Sequence, residues 1–215
     1  MFVAGGVPKS IENIVWQDYR GFETGMIVFY PSETVSELPI REIPEELPPK
    51  NVPEPNYETK TFGFHGCSRS TVRTAFAKAK MHYLFFMTKY AGTNFEYLDK
   101  YLVTGYYRIA WIADVKKLHI RYLETYNCLT ADSCLALRAD EMHFVALEDA
   151  FVIAPNALKG WGASSRITKQ TRIELDEEKT GELLKYLRSK PNIASEYIEE
   201  TERLSPENEE EEEED

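Results

Sequence analysis

The chain has 215 residues, 43% of them hydrophobic and 13% aromatic, enough to bury one substantial core. Its apolar runs fall far short of the roughly 20 residues that a membrane-spanning helix needs, and residues 1–16 lack a basic stretch followed by an apolar one, so the sequence predicts a soluble, cytoplasmic protein with no membrane association. The net charge of −11 resides in Glu196–Asp215, which carries 12 acidic residues and one basic; the body is neutral and polarised, with 12 basic against 7 acidic residues over Tyr57–Asp140 and 4 against 9 over Met1–Asn56.

In chain order, Ser10-Ile11-Glu12-Asn13 can cap a short helix ending near Tyr19, and Met26–Tyr30 reads as a strand stopped by Pro31. Residues 31–55 hold seven of the eleven prolines, which remove backbone donors and fix φ, so this segment is predicted to be a wrapping arm or an unstructured connector. Gly63 and Gly66 then precede a helix over Ser68–Lys80, with Val72, Phe76 and Ala79 on one face. Tyr83–Thr88 and Tyr101–Ala113 read as buried central strands, and Gly105 inside the second marks a bulge or a close backbone approach that would curl the sheet. If alternation holds, Tyr107, Ile109 and Trp111 share one face of that strand while Tyr106, Arg108 and Ile112 share the other.

Further on, a strand is predicted at His119–Leu123, a helix from Thr130 to about Asp140, and strands at His143–Leu147 and Phe151–Ala154 around a turn at Glu148-Asp149. Thr171–Leu175 alternates as a last strand, and Asp176 caps a helix over Glu177–Ser189 that ends at Pro191. A weaker helix over Ile193–Leu204 leads into seven consecutive carboxylates at Glu209–Asp215, a composition that favours disorder, the alternatives being a tail that mimics nucleic acid or competes for the basic face, or one offered to a protein partner.

Two stretches carry candidate chemistry. Lys159–Arg172 contains four basic residues (Lys159, Arg166, Lys169, Arg172), four hydroxyls including Ser164 and Ser165, no acid, and Trp161 between glycines. Cations and hydroxyls suit phosphates and an indole offers a face to a base, although Trp161 can equally pack back onto the core. The second stretch, Gly63-Phe64-His65-Gly66-Cys67-Ser68-Arg69-Ser70-Thr71-Val72-Arg73, places Ser68, Arg69, Ser70 and Arg73 at a helix start that could hold phosphate or simply be a capped helix; the P-loop spacing is absent. Cys67 beside His65 leaves open an alternative function, an enzyme acting on a nucleotide or phosphorylated metabolite. The three cysteines, Cys67, Cys128 and Cys134, form no CxxC pair, and His82, His119 and His143 are isolated, so neither a disulfide framework, a metal site nor a cofactor is predicted.

The glycine-serine-arginine helix start, the strand Tyr83-Leu84-Phe85-Phe86 and the strand Tyr101-Leu102-Val103-Thr104-Gly105-Tyr106-Tyr107-Arg108-Ile109 resemble the PUA-like superfamily, in particular its EVE and YTH branches, over roughly residues 57–189. The likeness lies in pattern, and Lys80-Met81-His82 stands where that pattern commonly has a Gly-Asp turn. It implies an α+β fold, a curved mixed sheet or partly open β-barrel flanked by helices. It further implies a non-catalytic reader of DNA or RNA that takes a modified base, such as a methylated one, by base flipping into an aromatic pocket. In some prokaryotic proteins such a module accompanies a restriction motor; no P-loop occurs here.

On this reading the pocket draws on Trp111, Trp161, Tyr106, Tyr107, Trp16 and Tyr30, and phosphates are held by Ser68, Arg69, Ser70, Arg73, Lys159, Ser164, Ser165, Arg166, Lys169 and Arg172. The chain divides into an N-terminal strand and proline-rich arm (residues 1–56), the PUA-like domain (57–190) and the acidic tail (191–215).

Overall fold

The computed structural model describes residues 15–29, 64–67, 70–90, 95–116, 133–163, 167–168 and 171–195. The predicted strand at 119–123, the whole proline-rich arm over 31–55 and the tail beyond residue 195 lie outside the described residues.

Apolar runs buried on both sides form the middle of an α+β fold. The described strands are β1 (Gln17–Asp18), β2 (Phe22–Phe29), β3 (Phe64–Cys67), β4 (Met81–Lys89), β5 (Tyr101–Lys116), β6 (Ser133–Phe144), β7 (Phe151–Ile153) and β8 (Arg172–Leu175). They form one mixed sheet in the order β3-β6-β5-β4-β2-β8, with β1 and β7 also paired to β5. The β2/β4 pair is parallel and the other described pairs are antiparallel. β3 and β8 end the order, so the sheet is open. β2 comes from the first 56 residues yet lies between β4 and β8, so the sheet draws on both sides of the predicted boundary.

Each face of the sheet has its own core. On the first, Met26, Val28, Leu84, Phe86, Tyr107, Ile109 and Phe144 pack with Val72, Ala75 and Phe76 of α1 (Ser70–Arg73) and its continuation, a π-helical turn at Thr74–Lys78. On the second, Ile27, Tyr83, Phe85, Met87, Tyr106, Ile173 and Leu175 pack with Leu183, Leu184 and Leu187 of α2 (Glu177–Arg188). Burial on both faces explains why β2, β4 and β5 read as continuous apolar runs. α2 begins where Asp176 accepts a hydrogen bond from the Lys179 amide at 2.9 Å, as the capping pattern predicts.

Three expectations are corrected. The segment predicted as a helix up to Asp140 is strand β6, because Leu135 and Leu137 alternate onto the first core while the backbone pairs with β5 and β3; tertiary pairing overrides its Ala- and Leu-rich composition. Gly66, read with Gly63 as the approach to a helix, is itself part of strand β3, paired with Ala136. Near the N-terminus, Gln17 and Asp18 form a strand on β5 and not the end of a helix.

Irregularities in pairing set which way side chains point. Two residues of β6, Asp140 and Glu141, stand against Arg108, since Arg108 pairs with Glu141 and Ile109 already with Ala139; in β5, Ala110 is the extra residue between Ile109/Ala139 and Trp111/Arg138. The second bulge reverses the alternation expected from the sequence. Ile112, not Trp111, joins Tyr107 and Ile109 at the first core, and Trp111 turns outward on the side of Arg108.

Gly105 marks both a bulge and a close approach. Phe86 pairs with Gly105 and Met87 already with Val103, and a Cβ on Gly105 would overlap the His143 carbonyl oxygen and the Phe144 ring. Gly105→Ala is therefore expected to cost about 1–3 kcal/mol or more, read as a lower midpoint of denaturant unfolding. Gly181, in α2 with nothing within 4 Å of such a Cβ, gives the opposite result: Gly181→Ala should stabilise by about 0.5–1 kcal/mol.

Candidate functional site

Past the C-terminal end of α2 the second face of the sheet changes from apolar to polar. Tyr83, Arg108 and Glu141 form one cross-strand row on β4, β5 and β6. Arg108 donates from Nε and Nη2 to the two carboxylate oxygens of Asp140, both at 2.9 Å, and its Nη1 lies 3.0 Å from Glu141 Oε2. Glu141 also accepts from the Tyr106 hydroxyl and from Arg188 Nη2 at 3.1 Å, while Arg188 Nε donates to Tyr106 Oη at 2.9 Å. Tyr83 donates to Glu23 at 3.1 Å.

The protonation states follow from these contacts. Burial opposes ionisation of Glu141, but the Tyr106 hydroxyl and the Arg188 and Arg108 guanidiniums outweigh it and hold the carboxyl below the usual range. Burial, reinforced by Glu141, raises the Tyr106 phenol. His143, stacked on the Tyr106 ring at 5.8 Å and 8°, is held below the ordinary histidine range by burial, which outweighs its contacts with the Lys190 backbone and the Glu141 charge. Each guanidinium in this cluster already faces carboxylates in well-formed geometry. The cluster therefore fastens α2 to β5 and β6, and the next row along the sheet lies beside it.

That row is Asp18 on β1, Trp111 on β5 and Arg138 on β6, three cross-strand neighbours on the outward side created by the Ala110 bulge. The Arg138 guanidinium carbon lies 4.8 Å from the centre of the Trp111 ring. Trp111 is half-buried and Asp18 is exposed. An indole flanked by a carboxylate and a guanidinium offers stacking, hydrogen-bond acceptance and hydrogen-bond donation in one strip.

The other predicted residues are dispersed. Tyr106 and Tyr107 are fully buried, and the Tyr107 ring meets Phe86 and Phe144 edge-on at 4.7 and 5.7 Å. Trp16 is half-buried next to β1. Trp161 is half-buried and meets Phe151 edge-on at 5.4 Å, in a hydrogen-bonded turn that Gly162 ends at φ 89°. Phe151 pairs with Val103, eight residues before Trp111 on β5, so the two indoles are separated by roughly 25 Å of strand. They do not converge on one slot.

Of the phosphate candidates, Arg73 is ion-paired with Asp114, Lys159 is exposed, and Arg172 Nη1 donates to the Thr171 carbonyl at 2.9 Å. Ser70 is the first residue of the four-residue α1. Tyr30, Ser68, Arg69, Ser164, Ser165, Arg166 and Lys169 lie outside the described residues. His65 and Cys67 lie in β3, paired with Leu137 and Leu135. Among the described residues no group of three or more His, Cys, Asp or Glu could hold a metal ion, and no helix is long and apolar enough to cross a membrane.

Sequence reasoning missed Asp18, Arg138, Glu141 and Arg188. The available signal was the period-two run Leu135, Leu137, Ala139, which would have made Arg138 a strand residue on the face opposite the leucines.

Two acid-side losses of stability are expected. Between the ordinary histidine value of 6.5 and the lower value of folded His143, the unfolded chain binds more protons than the folded one, so stability falls as pH drops through that window. His143→Phe should reduce this loss in unfolding curves taken at successive pH values. Glu141 adds stability that is complete above 4.5 and disappears as pH falls through its depressed folded pKa; Glu141→Gln should cost about 1.5 kcal/mol at neutral pH and progressively less on acidification. No protein-family model matches the sequence, and no curated protein or solved structure matches the chain.

Proposed function

We propose that the chain is a non-catalytic, PUA-like domain that binds nucleic acid and reads a modified base, with Trp111 as its stacking ring. An open mixed sheet with a helix on each face supports the fold assignment. The observation that carries the functional reading is the Trp111–Arg138 contact: a half-buried indole turned away from the core, with a guanidinium 4.8 Å from its centre. Packing within the core does not account for this placement, since Ile112 takes the inward position that Trp111 would occupy without the bulge.

A flat ring with a cation beside it suits a splayed-out base on a negatively charged backbone. Flipping a base from a duplex costs a few kcal/mol, least where the base is damaged, mispaired or already single-stranded. The domain accordingly favours single-stranded or locally opened sites. Tyr106 and Tyr107 act behind the ring as core, through their pairing with the sheet.

Trp111→Ala is expected to weaken binding to methylated and unmodified single-stranded oligonucleotides by about 1–3 kcal/mol, measured by fluorescence anisotropy. Wild-type affinity should fall steeply with salt as counterions are released. Unchanged affinity in the variant together with a flat salt response counts against the proposal.

A further inference from the structure

We infer that the acidic segment Glu196–Asp215 folds back onto a cationic corner formed by Arg20, Lys78 and Lys80 and competes there with nucleic acid. The competition rests on the reading of the domain as a nucleic-acid binder; the contact itself does not. Two segments distant in sequence build the corner. The Phe22 amide donates to the Lys80 carbonyl at 2.6 Å, and the Tyr19 hydroxyl lies 2.8 and 2.6 Å from the Phe76 and Met81 carbonyl oxygens. Gly21 is so close that a Cβ there would overlap backbone atoms of Lys80 and His82. Residues 19–22 therefore run against the π-helical turn and the start of β4, which brings Arg20 to the corner that carries Lys78 and Lys80.

All three side chains are exposed, and none makes an ion pair among the described residues. Lys80 Nζ stands 5.3 Å from the centre of the buried Tyr19 ring. An ammonium has three N–H donors, so this contact leaves it able to take a carboxylate from solvent. The chain supplies little local compensation, since Thr59–Phe95 holds six basic residues and no acidic one. Of the acids near residue 20, Glu23 accepts from Tyr83 and faces His82, and Asp18 belongs to the Trp111 row.

Charge, attachment and reach identify the occupant. Asn192 Oδ1 accepts from the Phe144 and Ala194 amides at 3.1 and 3.0 Å, its Nδ2 donates to the Met142 carbonyl at 2.9 Å, and the Ile193 amide donates to the Phe144 carbonyl at 2.8 Å. Ala194 is buried in the first core with Val72, Ala75 and Phe76 of α1 and its π-helical continuation. The acidic segment therefore starts from the face of the sheet that carries this helix. It holds 12 acidic residues and one basic. Its 20 residues can extend about 66–72 Å, whereas the six-strand order is about 24 Å wide. Single exposed ion pairs contribute little, but a tether raises the effective concentration to the millimolar range. Seven successive carboxylates also repel one another less with cations among them.

The test is carbodiimide cross-linking of the full chain, which joins a carboxylate to an adjacent amine with loss of water, followed by mass spectrometry of tryptic peptides from the monomeric band. Cleavage after Arg203 releases the carboxylate run in one peptide, Leu204–Asp215. Lys78 and Lys80 are expected to join it in several-fold higher yield than the exposed Lys159 and Lys185. The yield should be high at about 0.01 M salt and lost at about 1 M, as the screening length falls from about 30 to about 3 Å. In parallel, a chain carrying Glu209→Gln, Glu210→Gln, Glu211→Gln, Glu212→Gln, Glu213→Gln and Glu214→Gln should bind a fluorescein-labelled thymidine nonamer about tenfold or more tighter than wild type at low salt. Adding Lys78→Gln and Lys80→Asn, with Asn chosen because residue 80 has φ 56°, should remove most of that gain. Cross-links that are absent, spread evenly over all lysines or confined to a dimeric band overturn the inference whatever the binding shows. Cross-links at Lys78 and Lys80 with equal oligonucleotide affinity for both tails keep the contact and overturn the competition. If the same cross-links form and neither chain binds the oligonucleotide, the contact stands and the nucleic-acid reading falls.

Discussion

Strand β5 pairs with four others, and the position of nearly every other element is a register on it. β4 and β7 take its first residues, β6 runs along its middle and far end, and β1 joins at Trp111 and Ile112. With partners on both edges and cores against both faces around Tyr106 and Tyr107, the strand cannot slide without exposing apolar surface or breaking backbone hydrogen bonds. Gly105 makes the crowding tolerable where β5 meets the His143 carbonyl and the Phe144 ring of β6. The tyrosine rings beside it are held by the same packing, which is why they are structural and not available to a ligand.

Within that frame, two opposed irregularities decide the character of the outward face. The extra residue Asp140 in β6 and the extra residue Ala110 in β5 offset each other, so the pairing resumes in step beyond them. Between them the directions of the side chains have changed. Ile112 goes to the core, while Arg108, Asp140, Trp111 and Arg138 lie on the outward side. The ionic cluster that ties down α2 and the carboxylate–indole–guanidinium row are thus neighbours on one surface. Rigidity from the first supports positional accuracy in the second, because Arg108 in the cluster and Trp111 in the row are three residues apart on the same strand.

Much of the architecture could be read from residues alone. β4 and β5 announce themselves as long apolar, aromatic runs, and α2 by an Asp cap, a periodic leucine face and a following proline. Gly105 inside a strand pointed correctly to a close approach. Other features depended on partners that a linear reading cannot see. Gln17 and Asp18 are a strand only because β5 offers them an edge, and residues 133–144, rich in Ala, Leu and Arg, are extended because β5 and β3 both claim their backbone groups. Alternation assigns faces correctly up to Ile109 and fails beyond it, since a bulge leaves no mark in composition. The site suffered most from this: Trp111 was found, but its neighbours Asp18 and Arg138 come from the two segments read as helical.

The parallel pairing of β2 with β4 also bears on the order in which the molecule assembles. β4, β5 and β6 meet through antiparallel contacts, while Phe22–Phe29 finds Met81–Met87 only after the intervening chain has been brought round. Loop-closure entropy makes such a joint late and slow compared with local pairings. Because β8 pairs with β2, the edge carrying Arg172–Leu175 waits on the same event. Until β2 arrives, the β4 edge beside Leu84 and Phe85 lacks the backbone partner that later covers it, so a chain that lost β2 would present an open strand edge there.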